Sequence, residues 1–265
     1  MEKDYPAPPE YERFKTEIQR LTGIDLNAYK YQIHRRVHML MQRWGISSYE
    51  DYFKLIKDNE TKRRDFLDYI TINVSEFFRN PQRWWELKDN VIPHLIALRK
   101  NKKLKLWSAG SATGEEPYSL AILATELGLE SKILAMDIDQ GAIAKAREGI
   151  YNIRQIAGAP SEWVKRHFST IDSEKVRINA DIRQKVDFRR GNLIEDAFDE
   201  SSFDLILCRN VVIYFSPETK SKLYKKFYDA LKPGGFLMVG ATEQIFEYRS
   251  IGFKSAGPFL YSRPE

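Results

Sequence analysis

The chain has 265 residues, 43% of them hydrophobic, enough for one or two cores and too few for three. Lys and Arg number 42 against 37 Asp and Glu, a net charge of +5 that permits an acidic partner without demanding one and excludes a histone-like polycation. A single cysteine, Cys208, excludes an intramolecular disulfide and any multi-cysteine zinc or iron–sulfur site, so a reducing compartment, the cytoplasm, is expected.

The first ten residues have neither an apolar core nor a small-residue cleavage site, and they read as a lead-in rather than a signal peptide. From Glu10 to about Ile72 apolar residues recur at three and four: Tyr11, Phe14, Ile18 and Leu21, then Ile33, Val37, Leu40 and Trp44, then Tyr52, Leu55 and Ile56, then Phe66, Leu67 and Ile70. This predicts an all-helical domain over 1–72. Thr22-Gly23 is expected to close the first helix, Asp25 or Asn27 to open the second, Gly45 to end it, and Ser47 or Ser48 to open the third. Residues 73–90 read as a segment linking this domain to one over 91–265.

From Lys103 the pattern changes to short apolar runs, at 104–109, 133–136, 186–188, 203–208 and 236–240, separated by helical segments at 117–127, 139–148 and 217–231. Strands alternating with helices predict an α/β fold with a mostly parallel sheet. A polar stretch from Phe168 to Lys185 breaks the alternation and predicts a small excursion from the sheet. The most apolar run, Phe203 to Phe215, is interrupted by Asp204, Arg209 and Asn210, short of the roughly 20 apolar residues that cross a bilayer, so no membrane insertion is expected.

Chemistry is expected where strands end. The first strand runs into Gly110-Ser-Ala-Thr-Gly-Glu-Glu-Pro-Tyr118, and glycines at the carboxyl end of a first parallel strand let backbone approach a ligand. Gly110 and Gly114 do not make Gly-x-Gly-x-x-Gly, so the turn alone is unspecific. Glu115 and Glu116 suit a cationic ligand better than a phosphate, although acids at a helix start also complement its dipole. Asp137 ends the second strand where an acid bonds ribose hydroxyls, and Asp139 sits where a helix cap is wanted. Asn192 and Leu193 follow the strand at 186–190, and Arg209, Asn210 and Tyr214 follow the strand at 203–208, so four strand ends converge on one edge.

Residues 71–79 (Thr-Ile-Asn-Val-Ser-Glu-Phe-Phe-Arg), 107–118, 135–139 (Ala-Met-Asp-Ile-Asp), 208–215 (Cys-Arg-Asn-Val-Val-Ile-Tyr-Phe) and 239–245 (Val-Gly-Ala-Thr-Glu-Gln-Ile) resemble the CheR-type chemotaxis receptor methyltransferases, in order and over nearly the whole chain. Gly110-Ser111-Ala112 departs from the commonest spelling of the glycine turn while keeping small residues. The resemblance implies a class I methyltransferase Rossmann-like, doubly wound sheet with a small β-subdomain at about 168–190, behind an all-helical receptor-recognition domain. It also implies S-adenosylmethionine (SAM) as cofactor, with S-adenosylhomocysteine as product and no metal, and esterification of glutamates on cytoplasmic chemoreceptor helices. Cofactor contacts then fall on Asn73, Ser75, Arg79, Glu116, Asp137, Asn192, Leu193, Arg209 and Asn210, and Arg79 with Tyr214 matches the pair suspected of positioning the acceptor. A monomer is expected.

Glutamate is already ionised at neutral pH, so its methylation needs alignment rather than a general base, and His34, His38, His94 and His167 are assigned no catalytic role. On the second helix Arg35, Arg43 and, less clearly, Arg36 project away from the apolar stripe, and no acid lies between Leu26 and Tyr49. Such a face is either simply solvated or steers a glutamate-rich helix. Two alternatives stay open: a methyltransferase with another protein or nucleic-acid acceptor, and a noncatalytic SAM-binding regulator. Asp/Asn-Pro-Pro-Tyr/Phe is absent, so nucleic acid is not expected.

Overall fold

Apolar residues three and four apart fold the first part of the chain as four helices: α1 (Pro9–Thr22), α2 (Gln32–Arg43), α3 (Tyr49–Asp58) and α4 (Glu60–Thr71). The computed structural model describes residues 8–30, 32–71 and 75–265, and the chain divides into two units, residues 1–73 with 214–220, and residues 74–213 with 221–265.

In the helical unit, α1 starts on Pro9 and stops at Gly23, whose φ of 81° lets its N–H reach the Gln19 carbonyl. Ser48 caps α3 through the Asp51 N–H. Asp25 opens a short turn, Leu26–Ala28, by accepting the Asn27 N–H, and α2 begins only at Gln32. Phe14, Ile18, Val37, Tyr52, Ile56 and Phe66 form the core, with Phe14 stacked on Tyr52 at 5.3 Å. His34 is buried there, Nε2 lying 3.0 Å from the Tyr49 hydroxyl, a structural role. The returning segment 214–220 joins this unit through a bridge of Phe215 to Tyr29.

The second unit opens with α5 (Pro81–Glu86), a π turn (Leu87–Val91) and α6 (Ile92–Arg99). The segment read from sequence as a linker is therefore folded: Phe77, Phe78, Trp84 and Leu87 are buried in the core of the sheet. Then follow β1 (Leu106–Ala109), α7 (Glu115–Glu126), β2 (Ile133–Asp137), α8 (Gln140–Glu148), β3 (Ile150–Asn152), α9 (Ser161–His167), β4 (Phe168–Thr170), β5 (Lys175–Ile178), α10 (Ala180–Arg183), β6 (Val186–Arg190), β7 (Phe203–Cys208), α11 (Pro217–Ala230), β8 (Leu231–Val239), α12 (Tyr248–Ile251), β9 (Lys254–Gly257) and β10 (Leu260–Ser262).

Seven strands form the main sheet in the order β6-β2-β1-β7-β8-β10-β9, the first five parallel and the last two added antiparallel. The chain winds outward from β1 through β2 to β6, then returns to β7 on the other side of β1. Ligands bind at the carboxyl ends of strands at such a reversal. The small sheet, β3-β5-β4, begins at Ile150 and ends at Ile178, earlier than the 168–190 implied by the resemblance, and Val186–Arg190, read from sequence as a strand of the parallel sheet, is its edge strand. Phe188 decides this, being 5% exposed and set edge-on to Tyr118 in the main core.

Candidate active site at the carboxyl ends of the parallel strands

The turn after β1 requires its glycines. Gly110 has φ 81°, and a Cβ there would lie 2.3 Å from Val211; Gly114 has φ 97°, and a Cβ would lie 2.9 Å from the Ala146 Cβ and the Tyr151 hydroxyl. The turn folds back on the end of β2, where Gly110 and Ser111 donate to the Met136 carbonyl at 2.8 and 2.9 Å. The Ser111 hydroxyl is buried with no hydrogen-bond partner, a polar group left over in the turn.

Asp137 ends β2, 8% exposed, its Oδ2 accepting the Ala112 N–H at 2.8 Å and its Oδ1 the Asp139 N–H at 2.9 Å. A carboxylate accepts about four hydrogen bonds, so capacity remains for a diol. Burial pushes its pKa up, and backbone N–H bonds from Asp139, Ala112 and Ile138 oppose the rise. Asp139 caps α8 through the N–H groups of Gly141 and Ala142, the plainer task expected of it.

The adjacent glutamates differ in task. Glu115 is fully buried and accepts from Thr113 Oγ1, Gln155 Nε2 and the Ser75 side chain, so it braces the turn. Glu116 accepts the Ser108 hydroxyl at 2.8 Å and pairs with Arg209 Nη1 at 3.5 Å. Burial raises the Glu116 pKa against the pull of Arg209 and lowers that of Arg209 itself. From the end of β7, Arg209 Nη2 donates to the Arg79 carbonyl at 2.6 Å and to Asn80 Oδ1 at 3.1 Å, while Trp84 Nε1 donates to the same carbonyl at 3.1 Å. The half-buried Arg79 is thus fixed through its backbone beside the Glu116 ion pair.

After β6, Gly191 donates to the Asp137 carbonyl at 2.9 Å, Asn192 Oδ1 accepts the Ile194 N–H at 3.0 Å, and Leu193 is buried. Asn210 takes a left-handed φ of 62° and donates its N–H to Glu243 Oε2 at 2.6 Å. Glu243 was not singled out from sequence. It is 2% exposed and also accepts the N–H groups of Gly240 and Ile213, stitching the loop after β7 to the end of β8. Its only sequence signal is its place in the 239–245 block.

The family described as CheR methyltransferase, SAM binding domain, matches residues 73–256, and its companion, CheR methyltransferase, all-alpha domain, matches residues 9–71. The chain belongs to the CheR methyltransferases. A chemotaxis protein methyltransferase of Listeria innocua is 37% identical over 98% of this chain and 97% of its own, and one from Listeria monocytogenes is 35% identical over the same shares. Chemotaxis protein methyltransferase 1 of Pseudomonas aeruginosa is 31% identical over 90% of this chain and 91% of its own. The fold is accordingly the class I methyltransferase sheet of the CheR family with an all-helical domain before it. SAM suits this CheR sheet edge: the buried Asp137 carboxyl, beside a Glu116 already paired with Arg209, matches a ligand with one net positive charge, and the unpartnered Ser111 hydroxyl offers a polar contact.

The CheR site residues expected from sequence are distributed as follows. Ser75, Arg79, Glu116, Asp137, Asn192, Leu193, Arg209 and Asn210 belong to the sheet unit, while Asn73 lies outside the described residues. Tyr214 belongs to the helical unit, where its carbonyl accepts the Lys30 N–H at 2.8 Å. On α2, Arg35 and Arg43 are exposed, Arg43 lying 5.3 Å from the Tyr69 ring. Arg36 departs from the expected outward face: it donates to the Tyr69 carbonyl and its guanidinium lies 4.7 Å from that ring, tying α2 to α4. No helix of the described residues is long and apolar enough to cross a membrane.

Proposed function

We propose that this chain methylates glutamate side chains on the cytoplasmic helices of chemotaxis receptors, with SAM as methyl donor and glutamyl methyl esters as product. The observation that carries the reading is the Arg209 link, in which one buried guanidinium joins Glu116, at the end of the glycine turn, to the carbonyl of Arg79. This link between the glycine turn and the Arg79 backbone supports a reading in which cofactor and acceptor are held side by side. The relatives named chemotaxis protein methyltransferase, over nearly equal lengths, support an acceptor in chemotaxis.

SAM supplies a methyl group on a sulfonium: a glutamate oxygen forms the new O–C bond as the S–C bond breaks and its electron pair returns to sulfur, with no proton moved. Asp137 accepts the ribose hydroxyls with its remaining lone pairs, Asn192 and Leu193 flank the adenine, and Asn73, Ser75, Glu116, Arg209 and Asn210 complete the cofactor contacts. Arg79 holds one acceptor oxygen with its planar fork and leaves the other free to attack, with Tyr214 as a second donor. Glutamate is ionised at neutral pH, so these residues align and need not remove a proton. Arg35 and Arg43 present positive charge to a glutamate-rich helix, and Arg36 supports them from within the helical unit.

Methyl-labelled SAM, receptor-containing membranes and this protein test the reading. Label on receptor released by alkali as methanol is the expected result; alkali-stable label assigns another acceptor, and no label with measurable cofactor binding assigns a regulator. Charge-assisted hydrogen bonds contribute about 1.5–3 kcal/mol, so Arg79→Ala lowers turnover roughly 10- to 100-fold, and Tyr214→Phe, losing a neutral donor, roughly 5- to 10-fold. Unchanged turnover removes the residue from the mechanism.

A further inference from the structure

The loop over residues 240–247, between β8 and α12, is held at three points. Glu243 receives the N–H groups of Asn210, Ile213 and Gly240, the Ile245 N–H donates to the Tyr261 hydroxyl at 2.9 Å, and the Ser221 hydroxyl donates to Glu247 Oε1 at 2.8 Å. Side chains alternate along it, Glu243 and Ile245 inward at 2% and 1% exposure, Phe246 outward at 83%. Met39, Ile153 and Ile171, the other exposed large hydrophobic residues among those described, reach only 46–48%. A large ring on a slack loop folds back to gain burial. Here the anchors on either side prevent that, and a preorganised apolar side chain is the kind that contributes most when a partner covers it.

Its place selects the partner. The loop leaves the carboxyl end of β8, beside the end of β7, and Phe246 stands three residues from the carboxylate that fixes Asn210. A ring so exposed does not enclose a nucleoside, whereas a polypeptide bringing its glutamate to this edge passes over it. We propose that Phe246 is an apolar contact for the acceptor protein, packing against an aliphatic side chain of the helix that carries the methylated glutamate. The proposal rests on the glutamate-methyltransferase reading.

Replacing Phe246 by Ser raises the KM for receptor about tenfold, the range expected for losing one apolar side chain from an interface, while SAM affinity measured by calorimetry stays at the parental value. Phe246→Leu retains most of the parental KM. Phe246→Cys provides an independent measurement, because Cys208 is fully buried and the new thiol is the exposed one: an environment-sensitive dye attached there shifts to the blue when receptor membranes are added. An unchanged KM in Phe246→Ser, a matching loss of SAM affinity, or a dye that ignores receptor overturns the proposal. A parental protein that binds SAM but places no alkali-labile methyl on receptor overturns the functional reading instead.

Discussion

At Glu243 one carboxylate accepts N–H groups from three positions, Gly240 at the end of β8 and Asn210 and Ile213 in the loop after β7. Those donors sit where the strands have stopped pairing, so no ladder bond is available to them, and each buried donor left unpaired costs about 1–3 kcal/mol. Asn210 is also held at φ 62°, a conformation that persists only where its surroundings impose it. Glu243→Ala is therefore expected to lower stability by about 3 kcal/mol or more, a Tm loss of roughly 5 °C or more, and to reduce turnover along with it. Glu243→Gln, which keeps one accepting oxygen, falls between. Thermal unfolding and the receptor-labelling rate read both effects, and an alanine variant that melts with the parent refutes this account of the loop.

The elements differ in how openly the sequence announces them. α1 to α4 were legible because their apolar stripes are complete and Gly23 and Ser48 sit at ends where a stop and a cap are needed. β1, β2, β7 and β8 were legible as apolar runs, and Asp137 and Asp139 were singled out by their places at the end of β2 and just before α8. β9 and β10 carry no such signature: Lys254, Ser255 and Ala256 are exposed in succession, and the strands exist because β10 finds β8 in three dimensions. Glu243 was hidden for the same reason, its partners at 210 and 213 lying thirty and more residues upstream. On α2 helical periodicity separates Arg35 and Arg43 from the core, yet it does not reveal that Arg36 is spent on Tyr69 of α4. Reversing Arg35 and Arg43 to Glu is accordingly expected to raise the KM for receptor roughly 3- to 10-fold, more at low salt than at high, with SAM affinity unchanged. Arg36→Glu differs by lowering the Tm as well. Equal loss of receptor and cofactor binding in the Arg35/Arg43 variant would mean misfolding, not steering.

Across the whole molecule the charge excess is positive, yet acids gather at the carboxyl end of the sheet: Asp137 and Glu243 are 8% and 2% exposed, and the Glu116 side chain, 12% exposed, pairs with Arg209. Burial is the leading cause of the upward pKa shift at each of the three, against the pull of N–H bonds or of Arg209. A carboxyl whose pKa is higher in the folded chain than in the unfolded one binds its proton more tightly when folded. The stability this contributes is complete below the ordinary carboxylate range and is lost as pH rises through the raised values. Above them the ligand-free protein holds more negative charge at this edge than the single Arg209 guanidinium offsets, which a cationic ligand relieves. SAM carries one more positive charge than S-adenosylhomocysteine, so SAM affinity is expected to fall as pH is lowered through the raised carboxyl values, while that of the product falls less. Calorimetry from the carboxylate range upward, in buffers of unequal ionisation heat, measures both quantities, and proton release should accompany SAM binding wherever the raised carboxyls are still protonated. A ratio of the two affinities that stays level with pH would show that the buried acids do not act on the sulfonium, leaving shape and hydrogen bonding to distinguish donor from product.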